Sequence, residues 1–267
     1  MNIAVCVKQV PDTEDIKFDP DNNTLIRESM PCAVNPFDAD ALEAAARIKD
    51  AHPETQIVAV SMGPEQAKSV LKECLAVAAD KAYLISGPEF AGSDTLATGY
   101  ILSRAIAKVE ELEGKFDIIF CGKQATDGDT AQVGPTLAEF MDYPQVTCGL
   151  EVAVEGKMVR VLRENEDHKR WIGMDMPCVV TITKPSFSPR FPTIKRKMAA
   201  NKVQIPTLGP GDLSNIDLTR AGAGGSPTKV RKMFTPIRDK SNIRIEEESN
   251  EESAVKLFKL LSDAKVI

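Results

Sequence analysis

Between Phe116 and Pro135 the chain reads FDIIFCGKQATDGDTAQVGP, a run whose residue types suit the binding of a phosphate. Phe116, Ile118, Ile119 and Phe120 form a short apolar stretch fit for a strand covered on both faces, and Gly122 ends it where the backbone must turn. The loop from Lys123 to Asp129 combines one cation, two acids, an amide and Gly128, so its backbone N–H groups can approach an anion. Asp129 or Thr130 is expected to cap the helix that follows, whose first-turn N–H groups attract negative charge. The two acids fit there if they hold ribose hydroxyls or loop amides while Lys123 and the helix end face the phosphates. The run matches neither the Walker pattern nor GxGxxG. Taken alone, it is equally an ordinary strand-to-helix turn with a solvated tip.

The elements around it alternate: strand at Ile3 to Val7, helix from Phe37, strand Ile57 to Met62, helix Glu65 to Ala78, strand Ala82 to Ile85, helix Leu96 to Val109, strand Phe116 to Cys121, helix Ala131 to Met141. Alternation predicts a doubly wound, mostly parallel Rossmann-like α/β sheet with helices on both faces and ligands at the carboxyl ends of the strands. Three further polar helix starts point to that end. Asn35-Pro36 reads as a cap followed by proline at the first helical position, Met62-Gly63-Pro64 as an abrupt turn, and Gly92 to Thr95 as a start with Ser93 or Asp94 as cap. One shared pocket explains four such starts better than four independent turns.

After Gln145 the pattern changes to short strands, Val146 to Val154, Met158 to Leu162 and Cys178 to Thr183, read as antiparallel additions to one edge. Residues 1–185 are thus expected to form the nucleotide domain. Residues 186–267, rich in Pro, Gly and charge, are expected to form a partner-recognition segment and an extended C-terminal arm that cannot fold alone. The arm ends in an amphipathic helix, with Ser249 and Glu252 as a capping box ahead of Val255, Leu257, Phe258, Leu260 and Leu261.

A formal net charge of -6 and a pI near 5.2 argue against nucleic-acid and anionic-membrane partners. Six cysteines at irregular spacing, with no CxxC pair, read as reduced core thiols and not as metal ligands. The short apolar start, Met1 to Val7, reads as a strand, and no apolar run reaches the ~18 residues of a membrane span. A soluble, cytoplasmic protein is expected. With only His52, His168 and a single Trp171, no hydrolytic nucleophile set can be assembled.

The segments VCVKQVPD (Val5 to Asp12), NPFDADALEAA (Asn35 to Ala45), VSMGPEQA (Val60 to Ala67), GKQATDGDTAQVGP (Gly122 to Pro135) and MPCVVT (Met176 to Thr181) together resemble the beta subunit of an electron-transfer flavoprotein over essentially the whole chain. The resemblance implies a heterodimer with an FAD-carrying alpha subunit and a nucleotide pocket within this chain. Its positions map onto Cys6; the turn holding Asn35, Phe37 and Asp38; Met62; and Gly122, Lys123, Gln124, Ala125, Thr126, Asp127, Gly128, Asp129, Thr130 and Val133. In conventional members that pocket holds AMP as a structural ligand, with the subunit docking a dehydrogenase. In electron-bifurcating members it holds a second FAD that takes a hydride from NADH.

The segment GSDTLATGY (Gly92 to Tyr100), the VPD after Gln9 and the small residue at Gly128 resemble the bifurcating type. FAD exceeds AMP by a second phosphate, a ribityl chain and a flavin, so extra donors such as Thr95 and Thr98 beside Asp94 are needed. The implied partners are an acyl-CoA dehydrogenase-type enzyme, reached through the alpha-subunit FAD, and ferredoxin or flavodoxin. The segment Thr183 to Lys195 aligns with the family's partner-recognition loop. It lacks the usual leucine, and Phe187 is the candidate apolar anchor in its place. No catalytic residue and no metal site are expected.

Overall fold

The computed structural model describes residues 1–12, 18–19, 24–25, 31–231 and 242–267; residues 232–241, part of the expected arm, lie outside the described residues. The chain divides into two compact units, Met1–Val230 and Arg231–Ile267. In chain order the first contains β1 (Asn2–Cys6), β2 (Gln9–Pro11), β3 (Phe18–Asp19), β4 (Thr24–Leu25), β5 (Cys32–Val34), α1 (Pro36–Ala51), β6 (Gln56–Met62), α2 (Lys68–Val77), β7 (Lys81–Ile85), α3 (Thr95–Glu113) and β8 (Ile118–Gly122). It continues with α4 (Val133–Met141), β9 (Gln145–Glu155), β10 (Met158–Glu164), β11 (Lys169–Asp175), β12 (Cys178–Ile182), α5 (Ile194–Lys202), β13 (Thr207–Leu208) and α6 (Gly222–Gly225). The second unit holds α7 (Asn250–Asp263), which Ser249 caps by accepting from the Glu252 N–H.

The main sheet runs β11-β10-β9-β12-β8-β1-β6-β7-β13. Every pairing from β9 to β13 is parallel, and β10 and β11 join antiparallel at the β9 edge. Alternate residues of β1 serve opposite faces, which is why its apolar run is continuous. Ile3 and Val5 pack in a core with Ala41, Ala45 and Leu71 of α1 and α2. Ala4 and Cys6 pack in a second core with Ile101, Ile106 and Leu137 of α3 and α4. The chain leaves β1 through α1 to reach β6 on one side, then returns through α3 to place β8 on the other. This reversal puts a topological switch point at the carboxyl ends of β1 and β8, the usual place for a ligand in such sheets.

The sheet corrects several sequence expectations. Cys178–Ile182 is not an antiparallel edge strand: it lies inside the sheet, parallel to both β8 and β9, and all five of its residues are buried. The antiparallel edge instead includes β11, unanticipated because its KRWIGMD sequence is exposed or half-buried throughout. The helix at Glu65 opens as a single 3₁₀ turn, Glu65–Ala67, before α2. Between residues 186 and 230, α5 packs on α2 and β13 extends the sheet beyond β7. Arg196 joins that packing by donating to Leu75 O and Ala79 O at the end of α2. Among the described residues no helix is long and apolar enough to cross a membrane.

Candidate functional site

Two buried polar residues at the start of α1 tie together the segments that follow β1 and β8. Asn35 stands at the N-cap position, yet its side chain makes no capping bond. It crosses to the loop after β8, where Nδ2 donates to Gln124 O at 2.8 Å and Oδ1 accepts from Thr126 N at 3.2 Å. Its own N–H donates to Lys8 O at 2.9 Å. Asp38, one turn on, accepts from Lys8 N at 2.7 Å and from Gly122 N at 3.1 Å. Burial pushes the Asp38 carboxyl up to about 7, against the opposing pull of Asn35 and of the Lys8 and Gly122 amides. Gly122 is required by this approach, since a Cβ there would lie 2.3 Å from Asp38 Oδ1 and 2.8 Å from the Phe37 carbonyl carbon.

The loop then turns its acids away from its amides. Lys8 Nζ holds Asp127 at 2.6 and 2.8 Å, and the Gln124 amide donates to Asp129 Oδ1. Gly128 N and Asp129 N both donate to Ala125 O, closing the turn. Asp129 and Ala131 adopt φ of 53° and 54°, a left-handed conformation that non-glycine residues rarely take. Alternation of this kind turns successive N–H groups to one side, as in anion-binding nests. α4 begins at Val133, later than expected, and its N-cap is Gln132 with no side-chain bond, so neither Asp129 nor Thr130 caps it. From Thr130 to Gly134 no backbone N–H has a partner among the described residues. This orphaned donor set fits a phosphate or diphosphate oxygen array.

A second helix begins beside it. Asp94 caps α3, accepting from Ala97 N at 3.0 Å, and its other oxygen accepts from Thr228 N at 2.9 Å. Burial works against charge at Asp94, but these hydrogen bonds outweigh it and hold the carboxyl below its ordinary value. Thr95 Oγ1 donates to Gln132 Oε1 at 3.0 Å, tying the two helix starts together. Gly99 permits the close crossing, because a Cβ there would lie 2.6 Å from Thr136 Cγ2.

Of the residues singled out from sequence, Asn35, Asp38, Gly122 and Gln124 through Asp129 are joined by the bonds just described, and Thr95 is brought to Gln132. Thr98 lies one turn further along α3, its N–H donating to Asp94 O. Cys6 and Met62 are placed by register, Cys6 opposite Val60 and Cys121, Met62 opposite Ile85. Phe37, Lys123 and Val133 are half-buried and Thr130 is exposed. The Cys6 thiol and burial together push the Cys121 thiol well up, which keeps it protonated. Lys8 and Gln132 were not among the expected site residues, nor were Ser226 and Thr228. Lys8 carried a signal, a cation directly after the apolar run Ile3 to Val7. Phe187 is not an exposed anchor: it packs against the core with the Arg47 guanidinium 4.7 Å from its ring centroid.

A mostly parallel sheet with a loop of unpartnered amides at its switch point has the architecture of nucleotide-binding α/β proteins. The chain belongs to the electron transfer flavoprotein family, matching its domain, described as "Electron transfer flavoprotein domain", over residues 23–213. It is similar to the electron transfer flavoprotein subunit beta of Megasphaera elsdenii, 48% identical over 257 residues that cover 96% of this chain and 95% of that one. It is also similar to subunit CarD of the caffeyl-CoA reductase-Etf complex of Acetobacterium woodii, 42% identical over 236 residues and 88% of each chain. The acryloyl-CoA reductase electron transfer subunit gamma of Anaerotignum propionicum is 44% identical over 243 residues, 88% of this chain and 89% of that one.

Proposed function

We propose that this chain is the beta subunit of a cytoplasmic electron-transfer flavoprotein heterodimer whose site at the ends of β1 and β8 holds FAD in place of AMP. With NADH as donor, the complex divides electrons between ferredoxin or flavodoxin and an acyl-CoA dehydrogenase-type enzyme reached through the alpha-subunit FAD. When bound, FAD supplies a two-electron acceptor that can release electrons singly.

The observation that carries the FAD reading is the meeting of two helix starts, joined by Thr95 and Gln132. The start of α4 offers unpartnered N–H groups to one phosphate, whereas at α3 the Ala97 and Thr98 N–H groups are already taken by Asp94 and the helix start contributes hydroxyls instead. In this reading the amides of Thr130 to Gly134 take one phosphate, and the Thr95 and Thr98 hydroxyls at α3 serve the groups beyond it. Asn35 and Asp38 hold the loop at its working height. Lys8 and Gln124 engage the two loop carboxylates, so that Lys123 faces the anion without local competition. The names of two similar proteins, a caffeyl-CoA reductase-Etf subunit and an acryloyl-CoA reductase subunit, agree with a partner acting on acyl-CoA substrates.

For that partner the docking anchor is Phe191 with Ile194 and Met198, which are 93%, 82% and 61% exposed and lie close together in the sequence. The amphipathic α7, with Val255, Leu257 and Phe258 exposed, serves the alpha subunit. The test is the nucleotide content of the purified heterodimer, measured by acid release and chromatography with controls for loss during purification. Two FAD and no AMP is the expected result. One FAD and one AMP would make this a structural nucleotide-binding and docking subunit.

A further inference from the structure

The stretch from Asp217 to Thr228 has the composition of a loose linker, yet it is fastened along the start of α3. Asp217 N donates to the Tyr100 hydroxyl at 2.8 Å, and the Arg220 guanidinium lies 4.2 Å from the Tyr100 ring centroid. Gly222 N donates to Ser93 Oγ at 3.0 Å, and Ala223 N donates to Ala91 O at 2.9 Å. The backbones meet so closely that side chains are shut out. A Cβ on Gly222, whose φ is +63°, would lie 2.3 Å from Glu89 O, and one on Gly225 would lie 2.2 Å from the Arg220 carbonyl carbon. RAGAGGSP is therefore a packing sequence, with glycine required where the strap crosses the 89–92 turn.

Ser226 is the centre of this strap. Its buried hydroxyl accepts from Asp94 N at 2.8 Å and donates to Gly222 O at 2.7 Å. Two residues on, Thr228 N takes the Asp94 oxygen that the α3 cap leaves over. Asp94 is thus gripped at its amide by Ser226 and at its carboxylate by Thr228, immediately before the turn that presents Thr95 to Gln132. We infer that Ser226 is a positioning residue for the nucleotide site: it fixes the α3 start, and with it the Thr95 hydroxyl at Gln132, without itself facing the ligand. The inference rests on the reading of the α3 and α4 starts as two sides of one nucleotide site.

The experiment compares the intact heterodimer with its Ser226→Ala variant by hydrogen exchange and by nucleotide content after dialysis. S226A leaves Asp94 N and Gly222 O without this hydroxyl. The expected result is about tenfold faster exchange across residues 93–98 and about tenfold weaker retention of the beta-site nucleotide, the effect of one buried hydrogen bond. Exchange in β1 and β8 stays unchanged. Thr228→Pro, which removes both the N–H and the hydroxyl that Thr228 offers Asp94, moves both readouts the same way and serves if S226A does not assemble.

Unchanged exchange at the α3 start would overturn the positioning role. Faster exchange with undiminished nucleotide retention would overturn its link to the site. A natural heterodimer holding neither FAD nor AMP in this subunit would instead overturn the nucleotide reading beneath it, a result told apart because it is read on the unaltered complex.

Discussion

Lys8 Nζ closes on Asp127 Oδ1 at 2.6 Å, joining the residue two beyond the end of β1 to the tip of the loop beyond β8. The Asp127 side chain is only 6% exposed whereas that of Lys8 is 42% exposed, so the carboxylate depends on its partners more than the ammonium does. Lys8→Met keeps the aliphatic stem and removes the charge. Hydrogen bonds to charged groups contribute ~1.5–3 kcal/mol, less where one partner is solvated. The expected loss is therefore about 1–2 kcal/mol in denaturant unfolding, with weaker nucleotide retention. Unaltered unfolding together with unaltered retention would show that the pair does not hold the loop.

The loop's two glycines have opposite reasons for being there, and substitution separates them. Gly122→Ala forces a Cβ onto Asp38 Oδ1 and the Phe37 backbone, and overpacking of this kind costs roughly 1–3 kcal/mol. At Gly128 nothing lies within 4 Å of the added carbon, so Gly128→Ala should leave stability within about 0.5 kcal/mol. If Gly128 is small so that a nucleotide can approach, G128A lowers nucleotide affinity with no change in melting temperature. Full retention in G128A would remove Gly128 from the site.

Much of this was legible in the sequence because the parallel strands are buried on both faces and read as continuous apolar runs. Ile118 to Cys121 is such a run, and so is Ile57 to Val60. Residues with two local meanings were not legible. Asn35 before a proline reads as a helix cap, but its side chain is drawn 89 positions along the chain to Gln124, a choice set by tertiary approach. Cys178 to Ile182 has the length and apolar content of any strand, and only the sheet order reveals that β8 and β9 sit on either side of it. Gly222 to Ser226 reads as flexible because glycine loosens a chain in isolation; here it permits contact with Glu89 O and Ala91 O.

Asp38 makes stability depend on pH in a stated direction. Its carboxyl titrates at about 7 in the folded chain against an ordinary 3.8. Between those values the native state keeps a proton that the unfolded chain releases. The contribution is fully present below 3.8 and is lost as pH rises through about 7. Asp40 is shifted the same way, chiefly by burial, to about 6, so the natural chain should be compared with Asp38→Asn, in which Asp40 is unchanged. The stability of the natural chain relative to D38N should fall between about pH 4 and pH 8 in denaturant titrations. A difference that stays flat across this window would mean that Asp38 is ionised throughout.

The recognition segment yields a contrast between two phenylalanines four positions apart. Phe187 is packed under Arg47, while Phe191 is 93% exposed. Arg190 fixes the segment between them through Glu43, with Nε at 2.8 Å and Nη2 at 3.0 Å, and through Asp50 at 2.6 Å. The exposed side chain should therefore matter to a partner and the packed one to the fold. Combined Phe191→Ala and Ile194→Ala should slow electron transfer to the dehydrogenase-type partner about tenfold, as loss of an apolar anchor does, with stability unchanged. Phe187→Ala should cost about 1–3 kcal/mol of stability, less than the ~3–5 kcal/mol of a fully buried ring. Stopped-flow transfer rates and denaturant unfolding on the same samples separate the two effects. If F187A impairs transfer at full stability and the double variant does not, the docking surface lies elsewhere.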